Sequence, residues 1–239
     1  MTPKPAQTKS QQPFHSHTPR SPYLTNIIRL IKRYAPPILL TISLVATFLQ
    51  TSKFHKITSK HLEPAPFGTL LGTTLNGVQV FSCNSTATSP IEPNYVNGIY
   101  TGEKWQCVEL ARRYLIITQN ITFDSIEMAY DIFDLPNFQG IDGSSVLISK
   151  HKNTLSTTRP VVGSLLIWAS QGFYVPTGHV AVITHVTDDF VEIAEQNVQD
   201  TVWLPNQHFS RRLSLICSPT CTITDTYEGE ILGWMTVKQ

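Results

Sequence analysis

The chain has 239 residues, 41% of them hydrophobic and 10% aromatic, enough apolar surface for a full core without disulfide or metal staples. Against 17 acidic residues stand 18 lysines and arginines, a formal charge of +1, so nothing in the balance points to nucleic acid or to a strongly acidic partner, and a small or neutral substrate is the default. Four cysteines, Cys83, Cys107, Cys217 and Cys221, are too few and too scattered for a disulfide scaffold and form no paired CxxC units, so no zinc site is expected.

Residues 1–28 are rich in Pro, Gln, Ser, Thr and His, with few large apolar side chains to offset the entropy of ordering, and read as a disordered tail. Arg29, Lys32 and Arg33 then lead into the uncharged residues 34–52, which as a helix reach about 28 Å, near the thickness of a bilayer core. No A-x-A-like cleavage site follows, so residues 29–52 are expected to be an uncleaved transmembrane or signal-anchor segment and a partner of the membrane. A cleaved export signal or a buried helix beginning at Pro36-Pro37 are the alternatives. Arg20, Arg29, Lys32 and Arg33 on one side against Lys53, Lys56 and Lys60 on the other favour a membrane-anchored chain whose following domain is extracytoplasmic or lumenal, with secretion as the alternative. Residues 53–62 read as a linker.

From residue 63 to 239 the pattern is that of one compact domain, with turn signals at Phe67-Gly68 and Asn76-Gly77. Over residues 106–117, Val108, Leu110, Ala111, Leu115 and Ile116 recur at mixed three and four spacings, which predicts a helix packed largely into the core. A second helix is expected at 126–133, capped by Asp124 with Glu127 three residues on. Strands are expected at 165–168, 179–186, 190–196, 213–216 and 231–237. The class is α+β, with N-terminal helices packed on an antiparallel sheet.

Cys107 falls at the start of the first helix, where unpaired N–H groups and the helix dipole favour an anion, the place where a thiolate forms most easily. An inert buried cysteine is the alternative. His179 opens a strand directly after Pro176-Thr177-Gly178. If Thr187, Asp188 and Asp189 form a three-residue loop, Val186 faces Phe190, His179 pairs with Asn197, and Glu195 is a diagonal neighbour on the same face. Glu195 follows Val191 and Ile193 on that face, so an apolar surface ends in a carboxylate beside an imidazole. A nucleophile, a base and an acid that orients the base are the parts of an activated-nucleophile triad; surface ion pairs or a strand-ending turn are the alternatives for Glu195 and Asn197. Arg211-Arg212 read as solvated strand or loop residues, and Trp105, Trp168, Trp203 and Trp234 as core or pocket wall. Cys217 and Cys221 bracket Ser218-Pro219-Thr220, a turn compatible with a short-loop disulfide or with two reduced core thiols.

The stretch Trp105-Gln106-Cys107-Val108-Glu109-Leu110-Ala111-Arg112-Arg113 resembles the cysteine, histidine-dependent amidohydrolase/peptidase (CHAP) family and, within it, glutathionylspermidine amidase domains. The likeness continues through Gly163-Ser164-Leu165-Leu166-Ile167-Trp168, Thr177-Gly178-His179-Val180-Ala181-Val182-Ile183, Ile193-Ala194-Glu195-Gln196-Asn197 and Ile231-Leu232-Gly233-Trp234-Met235. The resemblance implies a papain-like fold and a cofactor-independent thiol hydrolase with Cys107, His179 and Glu195 as catalytic triad. It further implies that Gln106, beside the backbone N–H of Cys107, stabilises the oxyanion, and that Arg112 and Asn197 help place the substrate. The implied substrate is an amide like glutathionylspermidine, cleaved to glutathione and spermidine through an acyl-enzyme. An exported amidase or endopeptidase of peptidoglycan, or a non-catalytic binding module, are the alternatives.

Overall fold

The computed structural model describes residues 63–84 and 91–238. The expected tail (1–28), membrane segment (29–52) and linker (53–62) lie outside the described residues, among which no helix is long and apolar enough to cross a membrane.

In chain order come the hairpins β1 (Leu70–Thr73) with β2 (Gln79–Phe81) and β3 (Pro93–Val96) with β4 (Ile99–Glu103), followed by the helix α1 (Cys107–Gln119). Three short strands, β5 (Ile121–Thr122), β6 (Phe138–Gly140) and β7 (Ser145–Val146), make a small antiparallel sheet. The remainder is a seven-stranded antiparallel sheet built from β8 (Ile148–Lys152), β9 (Leu165–Trp168), β10 (His179–Val186), β11 (Phe190–Ala194), β12 (Arg211–Cys217), β13 (Cys221–Thr224) and β14 (Ile231–Val237). Its strand order is β13-β12-β11-β10-β9-β14-β8. The described residues are thus mostly antiparallel sheet with one α-helix.

Strands β9 and β10 are apolar along most of their length because both sheet faces are covered. Val180 and Val182 belong to the core under α1, with Leu110, Ala111, Tyr114 and Leu115. Ala181 and Ile183 belong to a second core on the opposite face, with Val191, Ile193, Leu213 and Leu215. Each large aliphatic side chain fully withdrawn from water in this way contributes about 1.5–3 kcal/mol. The same two-sided packing buries α1 almost all round, polar residues included, so its Glu109 and Arg113 need internal partners and form an i,i+4 ion pair at 2.6 Å.

Three expectations are corrected. The second helix is a 3-10 helix, Ala129–Asp134, and the carboxylate that accepts a bond at its start, from the Met128 N–H at 3.0 Å, is Asp131; Asp124 accepts from Gln139 instead. The hairpin of β10 and β11 has Val186 opposite Val191 rather than Phe190, one more residue in the turn than expected. A bulge between Ile183 and His185 absorbs that residue, so Val182 and Ala194 pair in the register that the sequence pattern implied. Finally, β11 ends at Ala194: His179 lies opposite Trp168 of β9, and Asn197 leaves the strand in the left-handed region at φ 64°. Cys217 and Cys221, opposite each other at the end of the β12–β13 hairpin, are joined in a disulfide.

Candidate active site

Cys107 is the first residue of α1 and is 9% exposed. Its N-cap, Gln106, has extended backbone and makes no side-chain cap, which leaves the first N–H groups of the helix near the sulfur. Burial would push the thiol up. The hydrogen bond and charge of His179, together with bonds from the backbone of Val180 and Val108, outweigh it and hold Cys107 below the ordinary thiol range.

His179 enters the site because β10 starts there, after a turn that ends in Gly178 at φ 66°. A side chain at 178 would sit 2.6 Å from the Trp168 carbonyl and 3.0 Å from Tyr130, so only glycine lets the turn close against β9 and the neighbouring 3-10 helix. The imidazole Nε2 donates to Oε2 of Glu195 at 3.0 Å, which turns Nδ1 to the sulfur of Cys107. Burial alone would lower the affinity of this imidazole for a proton, but the bonds to Cys107 and Glu195 push it up to about 9. Glu195 is likewise buried, which would raise it, yet hydrogen bonds from His179 and Arg211 hold its carboxyl below the ordinary range. The three side chains therefore favour thiolate, imidazolium and carboxylate together.

The segment that follows Glu195 is tied to the start of α1. Gln196 is buried and donates to the Gln106 carbonyl at 3.2 Å and to Glu109 at 3.1 Å, while accepting from Arg113 at 2.9 Å and from the Phe81 N–H at 3.0 Å. Asn197 donates to Oε1 of Gln106 at 2.8 Å. These bonds lock the strand end that carries the acid to the helix end that carries the thiol.

A cleft of about 600 Å³ opens over Cys107 and His179. Gln106, Arg112 and Asn197 all line it, together with Glu103, Glu127 and the aromatic residues Tyr100, Phe173 and Tyr174. Arg112 is buried; among the described residues its hydrogen-bond partners are backbone carbonyls, those of Phe123 at 3.1 Å and Asp124 at 2.6 Å being the closest. Among the described residues no three His, Cys, Asp or Glu side chains group as metal ligands.

Arg211 departs from its expected solvated role. It is 7% exposed and forms ion pairs with both Glu195 and Asp225, while its neighbour Arg212 is exposed and pairs with Glu192. The signal was present in the alternation of β12: Arg211 is in phase with the buried Leu213 and Leu215, as Asp225 is with Cys221 and Ile223. Tyr174, stacked on His179 with ring centroids 5.1 Å apart, had no periodic signal because it lies in a 3-10 turn, Gly172–Tyr174.

The CHAP domain family matches residues 98–197, a segment that contains Cys107, His179 and Glu195. Over 182 residues the chain is 37% identical to the bifunctional glutathionylspermidine synthetase/amidase of Escherichia coli (strain K12), an alignment covering 72% of this chain and 29% of that protein. It is 29% identical over 195 residues to the glutathionylspermidine synthase of Crithidia fasciculata, and 27% identical over 175 residues to the trypanothione synthetase of the same organism. Each of these alignments covers 72% of this chain, with 27% and 26% of the relatives respectively. The chain thus spans under a third of the length of the curated relatives it matches. With the residues of the site inside the matched segment, this chain carries a CHAP domain.

Proposed function

We propose that this chain is a thiol-dependent amidohydrolase of papain-like architecture, with Cys107 as nucleophile, His179 as acid and base, and Glu195 as the group that orients the histidine. The observation that carries the reading is the buried run from Cys107 through His179 to Glu195 at the floor of an open cleft. The Cys107 sulfur attacks the amide carbonyl, and the carbonyl oxygen becomes an oxyanion facing the Cys107 N–H and Gln106. Because Asn197 holds Oε1 of Gln106, the Nε2 end is the one available to donate. The imidazolium of His179 gives its proton to the departing nitrogen as the C–N bond breaks, leaving a thioester. His179 then takes a proton from water, the hydroxide attacks the thioester, the acid departs and the thiolate–imidazolium pair is restored.

As substrate we propose an amide like glutathionylspermidine, hydrolysed to glutathione and spermidine. Arg112, a buried cation bonded to carbonyls, suits a carboxylate on the acyl side, and Glu103 and Glu127 on the cleft wall suit a cationic amine. A cell-wall peptide is the second reading. It is favoured by the Cys217–Cys221 disulfide, a feature of oxidising compartments, and it fits the expected anchor at residues 29–52 with the domain outside the cytoplasm. The test is hydrolysis of glutathionylspermidine by the full-length chain and its Cys107→Ala variant, with purified peptidoglycan in parallel. Spermidine release that disappears in the variant supports the first substrate. Cleavage of the wall peptide alone moves the reading to the second, and turnover of neither, with binding retained by the variant, leaves a binding module.

A further inference from the structure

The contacts behind His179 do not stop at Glu195. Arg211 donates from Nε to Oε1 of Glu195 and from Nη2 to Oε2 at 3.0 Å, a two-point grip that fixes the plane of the carboxylate. The guanidinium is itself held: Nη1 donates to Oδ1 of Asp225 at 2.5 Å, and the group lies 4.7 Å from the ring of Tyr227. Oδ2 of Asp225 accepts from the hydroxyl of Tyr174 at 2.7 Å and from Nε1 of Trp168 at 2.9 Å. Those are the two rings that flank the imidazole, Tyr174 stacked at 5.1 Å and Trp168 tilted at 5.2 Å. One buried carboxylate therefore ties the cation that grips the partner of His179 to both walls of the slot that His179 occupies.

We propose that Arg211, anchored by Asp225, is a positioning residue for the Cys107–His179 pair, an inference that rests on the reading of Cys107 as nucleophile. The titratable and charged groups facing these residues are Cys107, Glu195 and Tyr174 around His179, and Glu195, Asp225, Tyr174 and Tyr227 around Arg211. Without the guanidinium, Glu195 and Asp225 are left as carboxylates with no cation between them, and Glu195 takes up a proton more readily. A neutral Glu195 no longer favours the imidazolium, and the thiolate that the imidazolium stabilises is lost with it. The acid limit of the thiolate then moves to higher pH. A lysine at 211 keeps the charge but cannot grip both oxygens of Glu195 and Asp225 at once, so it restores only part of the effect.

The experiment is the rate of iodoacetamide alkylation of Cys107 against pH in the full-length chain, read by mass spectrometry for wild type, Arg211→Gln and Arg211→Lys, a measurement that needs no substrate. Near-ultraviolet circular dichroism confirms that each variant is folded. Cys83, whose thiol burial pushes up to about 11, serves as the unreactive reference. The expected result is alkylation of wild-type Cys107 that persists below the ordinary thiol range, slowed about tenfold or more on the acid limb in Arg211→Gln, with Arg211→Lys between the two. Superimposable profiles for the three proteins overturn the proposal. If Arg211→Gln does not fold, Arg211→Lys decides: an upward shift of its acid limit supports the proposal and coincidence with wild type overturns it. A wild-type profile that titrates like an ordinary thiol overturns the nucleophile reading itself, and this proposal with it, and is recognised because it appears before any substitution.

Discussion

Asn197 donates through Nδ2 to Oε1 of Gln106 at 2.8 Å, so the residue two positions beyond the carboxylate Glu195 sets the orientation of the residue that precedes Cys107. In the proposed oxyanion role, the link makes Gln106 a pre-aimed donor rather than a freely rotating amide. Gln106→Ala is expected to lower kcat about 100-fold, the typical loss for one oxyanion donor. Asn197→Ala is expected to lower it less, and the double variant to lose little more than Gln106→Ala alone. Steady-state kinetics of the three variants check this, and fully additive losses would show that the two side chains act separately.

The pH dependence follows from two opposite shifts. Cys107 lies below the ordinary thiol range, so its thiolate persists to lower pH than an ordinary thiolate and is lost as pH falls through that depressed value. His179 is pushed up to about 9, so the imidazolium, the proposed proton donor to the leaving nitrogen, is present below that pH and is lost as pH rises through it. A bell-shaped kcat/KM profile with its alkaline limb near pH 9 is expected. Because the two groups share one bond, the limbs belong to the pair, and both should shift in Glu195→Gln.

Glu109 and Arg113 make a stability prediction of their own. Glu109 is fully buried and accepts from Arg113, Asn94 and Gln196. Glu109→Ala strands a buried guanidinium, and a loss of about 3–5 kcal/mol in urea unfolding is expected. Exposed Arg212, whose pair with Glu192 lies at the surface, is the contrast: Arg212→Ala should cost under about 1 kcal/mol.

Gly178 tests the turn that delivers the histidine. Gly178→Ala forces a left-handed backbone on a residue with a side chain and drives its Cβ toward the Trp168 carbonyl, 2.6 Å away. Relief of that contact displaces the start of β10, where His179 sits. A drop in kcat of about tenfold or more, larger than the accompanying change in KM, is expected from stopped-flow or steady-state assays. A variant that loses only thermal stability would show that the turn can shift without moving the imidazole.

The amino-acid sequence by itself determined the strands 165–168, 179–186 and 231–237 to the residue, a helix over 106–117 that runs in the structure from Cys107 to Gln119, and the composition of the Cys107, His179 and Glu195 cluster. These were legible because β9 and β10 are buried on both faces, so their apolar runs are nearly continuous, because the apolar residues of α1 keep a three-and-four spacing around its buried charges, and because a cysteine at a helix start and a histidine at a strand start are local facts. The tertiary structure alone decided the rest. The hairpin register at Val182 and Ala194 was restored only because a bulge near Thr184 cancels an extra turn residue, a compensation that no local pattern encodes. Arg211 opens β12 and Asp225 follows the end of β13, and charged residues read as solvated until the fold closes around them. Only then do burial and two opposed carboxylates make that arginine an internal group, since a cation withdrawn from water must be paired to be stable there.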